Sequence, residues 1–211
     1  MNIPPTQTFP TAPSSACLDE LPDAIQKGYE IHEFRHACAI LRHDFHQEFD
    51  EIIEMLSKFK LKKSWILEPG GSKSQIAKWI DCELAQHGWI EKKFDIHLQI
   101  DGRQLDSPTH KVDCLKNRIA LEIEWNNKDP FFDRDLNNFR LLFDLRAISA
   151  GVIITRTDSL QEIFKSLNRG SSYGQSTTHL SKLLPRIRGG GGGGCPILVF
   201  AIKSELYDEN A

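Results

Sequence analysis

The chain contains no apolar run approaching the roughly 20 residues that a membrane-spanning helix needs, so a transmembrane helix is excluded. Its N-terminus, "MNIPPTQTFPTAPSSACLDELPD", has no basic stretch leading into an apolar core, and no secretory signal is read there. The five cysteines (Cys17, Cys38, Cys82, Cys114 and Cys195) are odd in number, scattered, and include no CxxC pair. Neither a disulfide framework nor a zinc site is expected, and the chain reads as a reduced, intracellular protein. The run Gly189–Gly194 has neither the G-x-G-x-x-G form nor a following Walker Lys-Ser/Thr; it reads as a floppy turn. No G-x-S-x-G elbow occurs, although a Ser-His-Asp triad built from distant residues stays open. His32, His36, His43 and His46 are suggestively spaced for a metal, but His43 and His46 also fit the wet face of a helix. Acids are missing altogether from Ile163 to Ser204, where six basic residues fall. That asymmetry can create a positive surface on a chain whose net charge is only −3, or it can be a plain solvated segment.

What is present is an ordinary globular mixture, 40% hydrophobic and 26% charged over 211 residues, enough for one domain with a real core. Residues 1–24, rich in Pro, Thr and Ser, read as a flexible arm, and residues 25–211 as a single domain. A strand is expected over Tyr29–Phe34. Phe45, Phe49, Ile52, Ile53 and Leu56 recur at helical spacing and predict a helix over about His43–Lys58. "EPGGSKSQIAKWIDCELAQHGW" reads as turn, Ser72 or Ser74 cap, and helix. Asp101-Gly102 marks a hairpin. Strands follow over about His110–Leu115 and Ile119–Trp125, joined through Lys116-Asn117. A helix is then expected through "PFFDRDLNNFRLLFDLRAIS", a buried strand at "GVIITR", a helix near Leu160–Leu167 and a last strand at "PILVFAI". This alternation predicts a mixed α/β fold with a central sheet and helices on both sides.

The segment "VDCLKNRIALEIEWNN" carries the chemistry. As a strand it points Ile119, Leu121, Ile123 and Trp125 to one face and Ala120, Glu122 and Glu124 to the other. The two carboxylates stand roughly 6.5–7 Å apart, from a rise of about 3.3 Å per residue. A tight turn brings Asp113, nine residues before Glu122, alongside it. Carboxylates massed this way repel one another unless a cation lies between them, and oxygen ligands with water suit Mg²⁺ or Mn²⁺. The plain alternative is a solvent-facing hairpin with an acidic side.

Asp, a spacer, then Glu-x-Glu on a hairpin resembles the core of the PD-(D/E)xK nucleases, and in particular the BglII/BstYI/BamHI branch of type II restriction endonucleases. "RHDFHQEFDEIIEMLSKF" is similar to that branch's first long helix, and "ILEPGGSKSQIAKWIDCELAQHGW" to its Pro-Gly turn and following helix. "VDCLKNRIALEIEW" resembles the catalytic hairpin, "NNKDPFF" the recognition segment, and "RGSSYGQ" with the Gly-rich turn into "PILVFAI" the C-terminal part. The order of these pieces is more specific than any one of them. Two departures stand out. Glu124 is the BamHI-like choice where BglII and BstYI carry Gln, and "NNKDP" is about one residue longer than the BglII segment.

The resemblance implies a homodimeric, Mg²⁺-dependent enzyme (Mn²⁺ substituting) that cuts double-stranded DNA at a short palindrome and leaves 5′-phosphates. It also implies a prokaryotic cytoplasmic setting and a DNA methyltransferase as genetic partner. Asp113 and Glu122, with the Ile123 carbonyl, would hold the metal, and Glu124 would hold a second metal or accept a proton from the attacking water. Glu91 matches an acid near the metal in some relatives, or is an ordinary surface residue. Asn126, Asn127 and Lys128 would meet DNA, since Asn pairs with adenine and Lys with guanine; the alternative is a capping turn, and Asp129 before Pro130 fits an N-cap and N1 pair. Ser171, Ser172 and Tyr173 in a Gly-flanked loop, and Lys73 and Ser74 at a helix start, are further candidate DNA contacts. Two rivals remain at this point: a structure-specific repair or recombination nuclease of the same core, and a DNA-binding module with no catalysis.

Overall fold

The structure, a computed structural model, describes residues 16–69, 73–107 and 109–211. The first half runs α1 (Ala16–Asp19), α2 (Asp23–Gly28), β1 (Tyr29–Phe34), α3 (Ala37–Asp44), α4 (His46–Lys58), β2 (Leu61–Lys62), α5 (Lys63–Leu67) and α6 (Gln75–Ala85). Five strands follow: β3 (Ile90–Lys92), β4 (Ile96–Ile100), β5 (Arg103–Ser107), β6 (Val112–Lys116) and β7 (Ile119–Ile123). The remainder is α7 (Phe131–Asp144), β8 (Ala150–Arg156), α8 (Gln161–Ser166), α9 (Leu180–Arg188), β9 (Ile197–Ile202) and β10 (Tyr207–Asp208).

Runs of β-branched and aliphatic residues form a six-stranded mixed sheet in the order β1-β9-β8-β7-β6-β3. β7, β8 and β9 lie parallel in its centre, and β1, β6 and β3 pair antiparallel to their neighbours. Every residue of β7, β8 and β9 is buried, because both faces are covered, as expected of parallel strands. One face packs Ile119, Leu121, Ile123 and Trp125 against the helices of the first half, with Ile52, Leu56 and Ile80 among the contacts. The opposite face packs Ala120, Ile153 and Val199 against Phe132, Leu136, Phe139 and Leu142 of α7 and against Leu180, Leu183 and Ile187 of α9. The four α7 side chains repeat every three to four residues and each contributes about 1.5–3 kcal/mol by leaving water. Gly151 lets α7 come close, since a Cβ there would overlap the Phe139 ring.

The β6–β7 hairpin is closed by Asn117 and Arg118, both at positive φ (41° and 72°), the two-residue turn whose twist suits a hairpin. The turn thus sits one residue later than Lys116-Asn117. Asp101 and Gly102, at φ 49° and 78°, turn β4 into β5 in the same way.

Several expectations are corrected. The helix expected from His43 is two helices, because Phe45 (φ −134°, ψ 43°) leaves the helical region between α3 and α4. α9 was not expected; Pro185 inside it hides an apolar face of Leu180, Leu183 and Ile187. Of the residues read as a flexible arm, 16–24 form α1 and the start of α2, with Leu21 packed in the core; residues 1–15 lie outside the described residues. Ser72, one of the two candidate caps, also lies outside them. Cys17 and Cys38 are joined in a disulfide between α1 and α3, a pairing that a 21-residue separation does not reveal. The glycine run is a packed turn with its own backbone hydrogen bonds, pressed against Leu136, Arg140 and Ile197. It precedes β9 at the end of the sheet where β7 begins, whereas Glu124 follows the other end of β7. The glycines thus lie away from the acids.

Candidate active site

The strand alternation that throws Ile119, Leu121 and Ile123 into one core sends Glu122 and Glu124 to the other face. That face is covered by α7, so both acids are buried, at 1% and 2% exposure, where the sequence pattern had suggested a polar outer side. The regular pairing of β6 with β7 runs from Lys116–Ile119 to Cys114–Leu121. Beyond it, side chains join the strands. The Ile123 amide donates to Asp113 Oδ2 (2.9 Å), and the Asp113 amide donates to Glu122 Oε2 (3.3 Å). Asp113 and Glu122 are therefore neighbours. Glu124 Oε2 accepts from Asn127 Nδ2 (2.9 Å), and Glu124 Oε1 lies 3.4 Å from Arg134 Nη2.

A cleft of about 560 Å³ opens over this strand end, lined by Asp113, Ile123, Glu124, Asn126, Asn127, Glu91, Lys73 and Arg134 among others. Lys73 pairs with Asp81 on α6 and adds positive potential near Asp113. Ser74 is the N-cap of α6, its hydroxyl accepting from the Ala77 amide, and so it serves the helix directly. Glu91 is half-exposed and paired with Lys111 (2.8 Å).

Asn126, Asn127 and Lys128 form a ribbon with residues 176–178 rather than a free loop, and Lys128 bridges to Thr177. Asp129 does not cap α7 through its side chain; its carboxylate faces Arg186 (3.4 Å). Ser171 and Ser172 are exposed at the end of the same loop. Tyr173 is not: it is 5% exposed, its ring stacked on Phe164 at 4.0 Å. The basic segment is also less free than its composition suggests. Lys165, Arg186 and Lys203 are each in an ion pair with a carboxylate from an acid-bearing neighbour.

Four residues near the acids escaped the sequence reading. Asp135, fully buried on α7, accepts from Arg134 (Nε 2.9 Å), and that same guanidinium reaches Glu124 and stacks over Phe131. Asn138, one turn on, donates to the His110 carbonyl (3.2 Å). Asp135 and Asn138 interrupt the apolar stripe of α7 beside Leu136 and Phe139, the one signal that could have exposed them. The fourth, Arg156, is buried at the end of β8 behind this site.

Burial raises the carboxyl pKa of all four acids. For Glu122 the Asp135 and Asp113 charges add to burial, and the rise is large. Glu124 is pushed up to about 9 by burial and then by Asp135. Asp135 and Asp113 are also raised by burial, with Glu124 and Arg134 offsetting part of the cost for one, and the Ile123 amide and Lys73 for the other.

Among the described residues no three His, Cys, Asp or Glu side chains converge into a finished ligand group. The chemistry of the donors nonetheless suits a hard divalent cation. Glu122 Oε1 is buried with no hydrogen-bond partner among the described residues, an acceptor with nothing there to accept from. Asp113 and Glu122 supply oxygen only, and Mg²⁺ is commonly held by one or two carboxylates while keeping its waters.

A family model described as restriction endonuclease BglII/BglIII matches residues 29–202, a span that includes the whole sheet and every acid above. No curated protein matches the chain.

Proposed function

Because the chain belongs to the BglII/BglIII restriction endonuclease family, and so is a type II site-specific deoxyribonuclease acting on DNA, we propose that it hydrolyses double-stranded DNA at a short palindromic site. The reaction would depend on Mg²⁺ and leave 5′-phosphates. The observation that carries this reading is the placement of Asp113, which lines the cleft, beside the buried Glu122, with Glu124 two residues on lining the same cleft. Asp113 and Glu122, with the Ile123 carbonyl, would hold Mg²⁺. When bound, that ion neutralises phosphate charge and acidifies a coordinated water. Glu124, held by Asn127 and Arg134, would take the proton from the attacking water once a bound cation had offset the burial and crowding that raise its carboxyl pKa. Lys73 and Arg134 line the cleft and attract the phosphodiester. Water oxygen would bond to phosphorus as the bond to the 3′ oxygen breaks, and the 3′ oxygen would take a proton from solvent water, to which Glu124 later returns its own.

A second copy of the chain would apply the same site to the opposite strand, matching protein two-fold to DNA two-fold symmetry. Asn126, Lys128, Ser171 and Ser172 would face the DNA. A prokaryotic cytoplasm and a methyltransferase that protects host DNA complete the proposal.

Digestion of an intact plasmid with Mg²⁺, followed by end sequencing, tests it. Discrete fragments with 5′-phosphates at a two-fold symmetric sequence are expected, and none in chelator. Cutting confined to branched substrates would overturn it. Glu122→Ala is expected to abolish cleavage and keep DNA binding; unchanged cleavage would remove the carboxylate site from the reaction.

A further inference from the structure

Arg156 is a cation buried to 1% exposure at the C-terminal end of β8, and no part of the proposed reaction uses it. Neutral oxygens, not a carboxylate, accept its hydrogen bonds. Nε donates to the Trp125 carbonyl (3.2 Å), and Nη2 donates to the Tyr173 carbonyl (3.3 Å) and to Thr177 Oγ1 (2.8 Å). The guanidinium also faces the rings of Phe164 and Tyr173, at 5.2 and 5.7 Å. A buried charge is costly; Asp158 attracts this one from nearby, and a fold that forks it onto neutral oxygens and ring faces gains fixed geometry from it. Here the geometry joins two segments. Trp125 directly follows Glu124, and Tyr173 and Thr177 belong to the loop after α8.

Those segments are also zipped together above Arg156. The Thr178 amide donates to the Asn127 carbonyl (2.8 Å), the Asn127 amide to Thr178 Oγ1 (3.2 Å), and the Asp129 amide to the Ser176 carbonyl (2.9 Å). Asn127 then turns its side chain back to Glu124 Oε2 (2.9 Å). The ribbon that would face DNA thus holds a carboxylate of the cleft, and Arg156 fastens the ribbon from beneath.

We propose that Arg156 is a positioning residue that couples DNA reading to cleavage, by locking the ribbon of residues 125–129 and 173–178 in the register at which Asn127 holds Glu124. This rests on the nuclease reading above. When the ribbon is seated on its proper sequence, Glu124 is held in place; when it is displaced, Asn127 and Glu124 move with it. A loosened fastening weakens both the rate and its dependence on sequence.

Arg156→Lys keeps the charge and loses the fork, while Thr177→Val removes one acceptor and keeps the side-chain volume. Gly192→Ala, at the far end of the sheet, serves as a destabilised control. Cleavage rates at the preferred site and at sites changed by one base pair are compared, together with DNA affinity in chelator and melting temperature. For Arg156→Lys and Thr177→Val, kcat is expected to fall on the order of ten- to a hundredfold. The preferred-to-altered rate ratio should fall with it, and DNA affinity in chelator should change little. Gly192→Ala should keep the parent ratio. Arg156→Lys and Thr177→Val proteins that fold and keep both kcat and ratio would overturn the proposal, as would an equal loss of ratio in Gly192→Ala. A parent protein that makes no discrete cuts would instead overturn the nuclease reading itself.

Discussion

Replacing Glu124 by Gln should make the metal-free protein more stable, and the gain should grow with pH. The reason lies in the company Glu124 keeps. It is 2% exposed, and burial followed by the charge of Asp135 raises its carboxyl pKa from an ordinary value of 4.5 to about 9. An acid whose pKa is raised by folding favours the fold fully below its unfolded value, and that favour is lost as pH rises toward the folded value. At pH 7 the chain is some 2.5 units above 4.5, and at about 1.4 kcal/mol per unit the loss is about 3 kcal/mol. Gln cannot ionise, so it escapes this loss. It also keeps the shape of Glu, and its carbonyl oxygen can accept from Asn127 as Glu124 Oε2 does.

In a protein of this size about 3 kcal/mol corresponds to a melting shift on the order of 6–12 °C. Melting curves of parent and Glu124→Gln in chelator from pH 5 to pH 9 would read it. The two should nearly coincide at pH 5 and separate steadily above it. Adding Mg²⁺ should raise both melting points, since Asp113 and Glu122 are intact in the variant and a cation that binds only the folded state stabilises it by mass action. Curves that stay parallel across the range, or a variant less stable throughout, would refute the argument that the acids are crowded into repulsion.

Elsewhere the structure makes sharper demands on stability than on activity. Lys116→Met should cost up to about 3–5 kcal/mol, because it strips the partner (2.6 Å) from the buried Glu51 carboxylate. Burial alone would raise the Glu51 pKa, but hydrogen bonds from Lys116, Trp89 and Gln47 hold it below the ordinary value. Its contribution is thus present above that ordinary value and lost as pH falls, so urea melts of Lys116→Met and parent should converge in acid. Gly192→Ala should cost about 1–3 kcal/mol, because a Cβ there stands 2.5 Å from Ile197 Cδ1. Its cleavage at the preferred site should match the parent, as a thermal melt paired with a plasmid digest would show.

What was legible in the sequence and what was not differ in physical kind. Periodicity reports which side chains share a face, and it placed β1, β7, β8, β9, α6 and α7 to within a few residues. It also brought Glu122 and Glu124 onto one face, with Asp113 within reach of it. Periodicity does not report what covers a face. The alternation in Ile119–Trp125 reads the same whether Glu122 looks into water or under a helix, and only the packing of α7 against Ala120, Ile153 and Val199 decides. For that reason Asp135 stayed hidden: an acid inside an apolar helix stripe looks like noise until the strand beneath is found to carry acids too. Arg156 was invisible for a related cause. It ends a short apolar strand as any basic residue might, and its three acceptors come from segments 17 to 31 residues away. A site assembled by non-local burial leaves its ligand types in the sequence. Its repulsions, the partners that hold each acid and the fastening under its DNA-facing ribbon exist only once the second layer has closed over the sheet.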